Sequence, residues 1–472
     1  MTTPDPGILP PPGCPAHGKS ADELRRLYGP VAEADPRALY ESLRKEHGAV
    51  APVLLHGDLP AWLVLGYREI LEVTRSPSRF TRDSRHWRMF QEGRVAPDSP
   101  LRPMVEWSPN CIFVDGEEHR RLRAAVTDSL EQFDRRGIRR YVIRYANQLV
   151  DSFAADGQAD LISGFAEKLP MLVMTQLLGM PEEYGAQLVD AALDLMKGTE
   201  TALASNDFVV ETLRTLTERK KVAPGHDLAT RLLGHEAGLT DDEVMEHLRL
   251  VLIAANETTV NLIANTLKVV LTDRRFRANL AGGHMTLPNA LEQVLWDEPP
   301  LSAIPGRWAT GDTVLGGKEI KAGDLLMLGL EAGNADPEIR PDLTAPLHGN
   351  RGHLSFCSGP HECPGQEIGR AIADTGIDTL LARLPDVQLA VSEGELHWRA
   401  AWLSKRLEAL PVRFTPPRSA GQGGAREAAS DFASTMPGPL PATVPVPPPA
   451  VPPASTGSHA VRKSWWRQLL GQ

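Results

Sequence analysis

The feature that most constrains the fold is a long apolar helix predicted to begin near Thr240. Thr240 and Glu243 match a capping box, and apolar residues then recur from Val244 through Leu271. About thirty residues at ~1.5 Å each make a helix of roughly 45 Å, which is enough to cross a whole domain. A helix this long and this apolar is expected to run through the middle of the molecule.

A loop that carries a cysteine precedes a second predicted helix. The segment His353–Arg370 reads HLSFCSGPHECPGQEIGR, and glycines and prolines punctuate the approach to Cys363. Pro364 suits the first position of the helix that follows. The N-terminus of that helix would stabilise a thiolate at Cys363. Gly359 and Gly365 would allow the backbone to approach a flat ligand closely.

This loop resembles that of the cytochrome P450 proteins, Phe-Gly-x-Gly-x-His-x-Cys-x-Gly. The chain matches it at Phe356, Gly359, His361, Cys363 and Gly365, with Cys357 in place of the first glycine. The resemblance implies that Cys363 is the thiolate ligand of the iron in haem b (iron protoporphyrin IX), with Phe356 and Gly365 beside the cofactor. Thiolate ligation of haem iron favours O–O cleavage.

The loop admits two other interpretations. Cys363 could be a buried structural cysteine with no ligand. Alternatively, Cys357, His361 and Cys363 could bind zinc, but this set lacks an obvious fourth ligand, and structural zinc is nearly always four-coordinate.

Cationic residues in three further places match positions that hold the haem propionates in the family. His119 and Arg123 lie four residues apart in Asp115–Arg123, hence on one face of a predicted helix. By resemblance, Arg307 and His361 complete the set. Cations paired with carboxylates make strong, charge-assisted contacts. A His and an Arg at this spacing are otherwise common surface residues.

The middle of the long helix resembles the oxygen-activation segment of the family. The segment Ile253–Thr259 reads IAANETT, with Ala255 where a glycine is usual. The resemblance implies that Glu257 relays protons and that Thr258 hydrogen-bonds oxygen during its activation. The small residues Ala254 and Ala255 would leave room above the haem. The alternative is a set of polar residues that face a solvated groove.

One nearly universal motif of the family, Glu-x-x-Arg with a second arginine in a later meander, is missing. Gln293 takes the place of the glutamate, Trp296 that of the arginine, and the meander 341–346 has no arginine. Losing one partner of a buried ion network is costly, whereas replacing the whole set with packed neutral groups is often neutral. The sequence therefore predicts a neutral, repacked core, as in a small subset of actinomycete members that lack the motif.

The fold class implied is mostly α, a cytochrome P450 fold: a helical domain with a long central helix and a minor β-sheet region. Ala61–Gly66 and Asp324–Leu330 are predicted strands, and Leu315–Gly323 resembles the hairpin of the family. The expected organisation is an N-terminal extension at 1–34, a haem domain at 35–418, and a Pro/Ala/Gly-rich disordered tail at 419–472.

Composition narrows the function further. The formal net charge of −10 argues against wholesale nucleic-acid binding. Four cysteines in 472 residues favour a reduced cytoplasmic setting over a disulfide framework. The sequence contains no run of eighteen or more apolar residues, so a membrane-spanning helix is not expected. The segment 1–20 does not read as a secretory signal.

The leading hypothesis is a haem-thiolate monooxygenase that inserts one oxygen atom of O₂ into an organic small molecule. Electrons would come from NAD(P)H through ferredoxin reductase and ferredoxin, which would dock on a basic face. The arginines that cluster in sequence are Arg120, Arg121, Arg123, Arg135, Arg136, Arg139, Arg140 and Arg144. The alternatives are a haem-binding sensor or interaction protein with lost or reduced activity, and a peroxide-driven enzyme. The basic Trp465–Trp466 end of the tail could contact a partner or a membrane surface.

Overall fold

The computed structural model describes residues 24–97, 99, 101–181, 184, 187–188, 190–191, 202–273, 286–345, 347, 349–401 and 403–416. The predicted tail at 419–472 and residues 1–23 of the predicted N-terminal extension lie outside the described residues. Residues 25–26 of that extension form a strand that pairs in parallel with the main sheet.

The helices of the described chain are α1 Pro30–Ala34, α2 Pro36–His47, α3 Tyr67–Arg75, α4 Arg88–Gln91, α5 Arg102–Val105, α6 Gly116–Glu131, α7 Arg135–Asp151, α8 Leu169–Leu178, α9 Ala202–Val222, α10 Leu228–Leu233, α11 Asp241–Thr272, α12 Leu287–Asp297, α13 Leu330–Asn334 and α14 Gln366–Arg383. Most of the largest hydrophobic core lies among α6 to α12 and α14. The predicted fold class, mostly α, is therefore confirmed.

The long central helix α11 is present as predicted, with 32 residues. The Thr240 hydroxyl accepts from the N–H of Glu243 at 3.2 Å, and the Glu243 carboxylate accepts from the N–H of Thr240 at 2.8 Å, which completes the capping box. The helix packs against α8, α9, α12 and α14. Among the described helices it alone is long and apolar enough to span a membrane, yet 61% of its most apolar stretch is buried inside the protein. Helix α11 is therefore part of the protein core.

The strands are β1 Arg25–Arg26, β2 Val50–Leu55, β3 Leu59–Val64, β4 Phe80–Thr81, β5 Gln158–Asp160, β6 Ile304–Ala309, β7 Thr313–Leu315, β8 Lys318–Ile320, β9 Leu325–Leu328, β10 Gln388–Leu389, β11 Trp398–Ala401, β12 Ser404–Leu407 and β13 Pro411–Arg413. Both predicted strands are confirmed, as β3 and β9, and the predicted hairpin is β7–β8.

The largest sheet has the order β1-β2-β3-β9-β6-β4. Strands β2 and β3 are buried along their whole length, which explains why their sequences are continuous apolar runs rather than alternating ones. Strand β6 pairs with β9, with Arg307 opposite Leu326. The sheet thereby carries Arg307 into the interior, where it is buried.

Candidate active site

The cysteine loop is held by its own backbone. The N–H of Cys357 donates to the carbonyl of Leu354 at 2.7 Å, and the N–H of Cys363 donates to the carbonyl of Phe356 at 3.0 Å. Cys357 has a φ of 61°, so it adopts the left-handed conformation that favours glycine. Cys357, which stands where the resembled loop has glycine, thus adopts a conformation that glycine takes readily.

Gly359 is a position where only glycine fits. Its φ is 73°, and a Cβ there would lie 2.3 Å from the carbonyl oxygen of Thr74. The loop thus packs directly on the end of α3. Gly365 is different, since the nearest atom to its added Cβ would be Cys363 Sγ at 3.9 Å. This is an ordinary contact distance, so the described residues do not crowd Gly365, and its predicted approach to a flat ligand stays a prediction.

The helix after the loop begins two residues later than predicted. Gly365 is the N-cap of α14, whose first residue is Gln366, so Pro364 lies just outside the helix. Burial raises the pKa of the Cys363 thiol, although a hydrogen bond from the Gly365 N–H and the nearby Arg123 act in the opposite direction. The N–H of Gly365 at the helix N-terminus thus favours the thiolate, but by itself it does not outweigh burial. A metal cation would, because a coordinating thiol is deprotonated outright.

The predicted propionate-binding residues form one cluster around the loop. The rings of His119 and His361 lie 4.1 Å apart, and His361 Nε2 lies 2.9 Å from the carboxylate of Asp115. Burial and neighbouring arginines lower the pKa of His361 to about 3, so a neutral imidazole donates to an ionised Asp115. His361 is therefore turned towards a carboxylate, and not towards the two cysteines as the zinc interpretation required.

Arg82 is a member of this cluster that the sequence did not reveal. Its guanidinium is buried and donates to the carbonyls of Ile112, Pro305 and Gly306 at 2.9, 3.0 and 2.7 Å. Burial and the adjacent Arg307 lower the pKa of Arg82 to about 9. No motif marks this residue, because two of its three partners, Pro305 and Gly306, lie more than two hundred positions away on β6, and the third, Ile112, is 30 positions away.

The cluster holds more positive than negative groups. Arg82 and Arg307 are both buried, and burial lowers the pKa of each, while Cys357 and then the carboxylate of Asp115 act in the opposite direction on both. The Nε2 atom of His119 is buried without a hydrogen-bond partner in the described part of the chain. Uncompensated buried cations are costly. An anionic ligand such as the propionates of haem fits this site, because its carboxylates would supply the missing charge.

Arg123, also predicted to hold a propionate, donates to Thr127 at 3.1 Å and to the carbonyl of Glu362. It is thereby tied to the residue that precedes Cys363. In this structure Arg123 holds the cysteine loop, since one of its N–H groups donates to the backbone carbonyl of Glu362.

The segment predicted to activate oxygen, Ile253–Thr259, lies on a partly exposed stretch of α11. Ile253 is 44% exposed and Ala254 is also exposed, although most of the helix that follows is buried. Ala255 is half-buried. The Thr258 hydroxyl donates to the carbonyl of Ala254 at 2.8 Å, one turn back. An apolar and open helix face inside a protein is what a ligand cavity would present.

Glu257 is engaged by residues that the sequence did not link to it. Arg406 Nη1 on β12 lies 3.5 Å from its carboxylate, and the Asn261 side chain donates to it at 3.3 Å. Arg406 also pairs with Glu167. Burial raises the pKa of Glu257 more than Arg406 and Asn261 lower it. A carboxyl with a raised pKa suits the predicted role in proton transfer.

The region of the missing Glu-x-x-Arg motif is packed but not neutral. The indole of Trp296 is buried, donates to the carbonyl of Asn350 at 2.8 Å and stacks on Tyr67 at 6.4 Å. The guanidinium of Arg340 lies 5.3 Å from the Trp296 ring and pairs with Asp297 at 2.9 Å. The prediction of a neutral core is therefore wrong in this respect, since a different ion pair lies against the substituted residue.

The predicted basic face is only partly available. Arg120, Arg136, Arg140 and Arg144 are exposed, whereas Arg121 pairs with Glu118 and Glu243 and is half-buried. Arg135 pairs with Glu367 at 3.0 Å and Arg139 with Asp374 at 3.3 Å, which links α7 to α14.

The chain resembles known proteins over most of its length. No family model matches the chain. The chain is 33% identical over 402 residues to the cytochrome P450 monooxygenase PikC of Streptomyces venezuelae, which covers 82% of this chain and 93% of that protein. It is 31% identical over 414 residues to the vitamin D(3) 25-hydroxylase of Pseudonocardia autotrophica, which covers 84% and 98%. The structure of CYP154C4 from Streptomyces superposes with a TM-score of 0.74 at 27% identity, over 84% of this chain and 99% of that one.

Proposed function

Because this chain belongs to the cytochrome P450 family of haem-containing monooxygenases, we propose that Cys363 is the residue through which it binds the haem iron. When bound, haem supplies the redox chemistry that activates O₂. The observation that carries the assignment is the position of Cys363. Its N–H is fixed by the carbonyl of Phe356, and the same loop carries His361 into the cluster of buried cations at Arg82 and Arg307, whose carboxylate partner is Asp115.

The cationic cluster is proposed to hold the propionates. His119 offers a buried Nε2, and Arg307 offers a buried guanidinium that one carboxylate, Asp115, partly offsets. His361 is oriented by Asp115. Arg82 would act through Arg307, because Arg82 donates to the carbonyl of Gly306 and Gly306 directly precedes Arg307.

On α11, Glu257 and Thr258 are proposed to manage protons. Glu257 is held by Arg406 and Asn261 and favours its protonated form. Thr258 is one turn from Ala254 and faces the open side of α11. Ala254 and Ala255 carry no bulk beyond a methyl group, so they leave space next to the hydroxyl.

The substrate is proposed to be an organic small molecule, with electrons delivered from NAD(P)H by a ferredoxin reductase and a ferredoxin. The exposed arginines of α7 would attract an acidic ferredoxin. We also propose a cytoplasmic location. The suggested contact of the tail with a partner or membrane surface falls on residues outside the described part of the chain.

One experiment tests the proposed function. The purified, haem-loaded protein is reduced under carbon monoxide, and the thiolate-type absorption is compared for the parent, Cys363→Ser and Cys357→Ser. Cys363→Ser should abolish that absorption and Cys357→Ser should keep it; the reverse result would overturn the assignment. Substrates that shift the spin state are then incubated with NADPH, a plant-type ferredoxin and its reductase. Incorporation of label from isotopic O₂ into product separates a monooxygenase from a haem-binding sensor.

A further inference from the structure

Glu292 is a buried carboxylate that joins three separate parts of the protein. It lies on α12 with its side chain 4% exposed. Its two oxygens accept from Arg370 of α14, from Nε at 2.6 Å and from Nη2 at 3.2 Å, which makes a bidentate pair. The ring of His353, at the start of the cysteine loop, lies 2.9 Å from Oε2. Bidentate carboxylate–arginine pairs fix geometry as well as charge.

Arg370 links Glu292 to the cysteine loop. Its guanidinium lies 4.5 Å from the centroid of the Phe356 ring, and His353 flanks the same ring at 5.7 Å. The carbonyl of Phe356 is the acceptor for the N–H of Cys363 at 3.0 Å. The position of the thiol therefore depends on Phe356, and that of Phe356 on Arg370 and His353. Both of these side chains converge on Glu292.

The network stands next to the place where the family motif is missing. Gln293, which replaces the motif glutamate, is the neighbour of Glu292 in sequence, and it bonds to Asp297 instead. Burial would raise the pKa of Glu292, but the hydrogen bonds from His353 and Arg370 outweigh burial and lower it. The carboxylate is therefore charged and compensated in the folded protein. A cleft of about 280 Å³, lined in part by Glu292, Arg351 and Arg370, opens over the pair.

We propose that Glu292 is the positioning residue for the haem-binding thiol in this chain, and that its contacts with Arg370 and His353 take the place of the absent Glu-x-x-Arg network. The inference rests on the proposed function, in which Cys363 binds the iron. It explains how a chain without that motif keeps the cysteine loop in place.

The test compares Glu292→Gln with Asp324→Asn in the haem-loaded protein. Asp324 is a control of equal burial, because its side chain is also 4% exposed and pairs with Arg88 at 2.6 Å, but it directly precedes β9, a strand of the largest sheet. Two signals are measured: the thiolate-type absorption of the ferrous–carbon monoxide form, and the rate of haem transfer to excess apomyoglobin. Glu292→Gln should convert much of the thiolate-type absorption to the thiol type. It should also speed haem transfer by about tenfold or more.

Asp324→Asn should leave both signals unchanged when the two variants are compared at equal distance below their melting temperatures. If Glu292→Gln does not fold, Arg370→Lys keeps the charge but loses the bidentate pair and the flat contact with Phe356, and should give the same changes in weaker form. In Glu292→Gln/Arg370→Gln, the two effects should be less than additive.

Parent-like absorption and haem transfer in Glu292→Gln would overturn the inference, as would equal changes in Asp324→Asn. Neither result would affect the proposed function, which fails only if Cys363→Ser retains the thiolate-type absorption. The two failures are therefore distinguishable.

Discussion

The main-chain N–H of Cys363 donates to the carbonyl of Phe356 at 3.0 Å, which closes a loop in which Cys357 adopts a φ of 61°. The closure requires a left-handed residue directly after Phe356. The family meets this requirement with glycine, whereas this chain meets it with a cysteine.

The first prediction concerns that strained position. Cys357→Gly should keep the free energy of unfolding within about 1 kcal/mol of the parent, because relief of strain offsets the added freedom of the unfolded chain. Cys357→Val should lose about 1–3 kcal/mol, since a β-branched side chain is disfavoured at positive φ. Chemical denaturation of the two variants checks this. Equal stability of the glycine and valine variants would mean that the left-handed turn is not maintained in solution.

The second prediction tests Thr258. Thr258→Ala should divert electrons from product to peroxide, because the hydroxyl next to Ala254 is lost, and Thr258→Ser should restore coupling. Peroxide and product formed per NADPH are measured. Thr266→Ala is the control, because its hydroxyl makes the same one-turn bond, to Leu262 at 2.7 Å, in a fully buried part of α11. Unchanged coupling in Thr258→Ala would leave this residue a structural role only.

The third prediction follows from Glu257. Its pKa is raised in the folded protein from an ordinary value of 4.5, so the folded state holds this proton to higher pH than the unfolded state does. The associated stability is present below about pH 4.5 and is lost as pH rises through the folded pKa. Glu257→Gln cannot titrate. The free energy of unfolding of Glu257→Gln, relative to that of the parent, should therefore increase as the pH rises from 4.5.

Denaturant unfolding at a series of pH values gives this difference directly. Glu319→Gln, on the exposed β7–β8 hairpin, is the control for loss of a surface carboxylate. A difference between Glu257→Gln and the parent that stays constant with pH would contradict the raised pKa.

The fourth prediction concerns Trp296. An arginine there would face Arg340, which lies 5.3 Å from the indole ring, and would lose the stacking on Tyr67. Trp296→Arg should therefore cost about 3–5 kcal/mol of stability and lower haem occupancy. Adding Gln293→Glu and Ala345→Arg should recover part of the loss, since neighbouring changes of this kind couple.

Thermal melts and haem content of the single and triple variants check the fourth prediction. Trp107→Arg is a suitable control, because Trp107 also lies beside an arginine, Arg85 at 4.8 Å, but is 38% exposed. Parent-like melting of Trp296→Arg would show that the position is not packed as described.

The fifth prediction concerns the electron donor. Arg136→Glu combined with Arg140→Glu should slow reduction by an acidic ferredoxin at low salt, and added salt should shrink the difference from the parent. Stopped-flow reduction at several ionic strengths measures this. Arg413→Glu on β13 is a matched charge reversal outside α7. Rates that are insensitive to salt, or equally slow in Arg413→Glu, would place docking elsewhere.

The sequence by itself determined the features whose causes are local. A capping box at Thr240 and a continuous apolar run predicted α11, and short apolar runs predicted β3 and β9. The spacing of Phe356, Gly359, His361 and Cys363 indicated the cysteine loop. Each of these signals depends on residues within one helix, strand or loop, so that periodicity, capping and turn chemistry were sufficient.

Only the tertiary structure decided the partners of the buried charges. Glu292 and Arg370 are 78 residues apart, Glu257 and Arg406 are 149 apart, and Arg82 is 223 from Pro305. The Glu-x-x-Arg motif of the family would place the arginine partner of a glutamate such as Glu292 three residues on, in the same helix. The partner lies on α14 instead, because a buried carboxylate is satisfied by whichever donor packing brings within hydrogen-bond distance, and no local pattern records which helix that is.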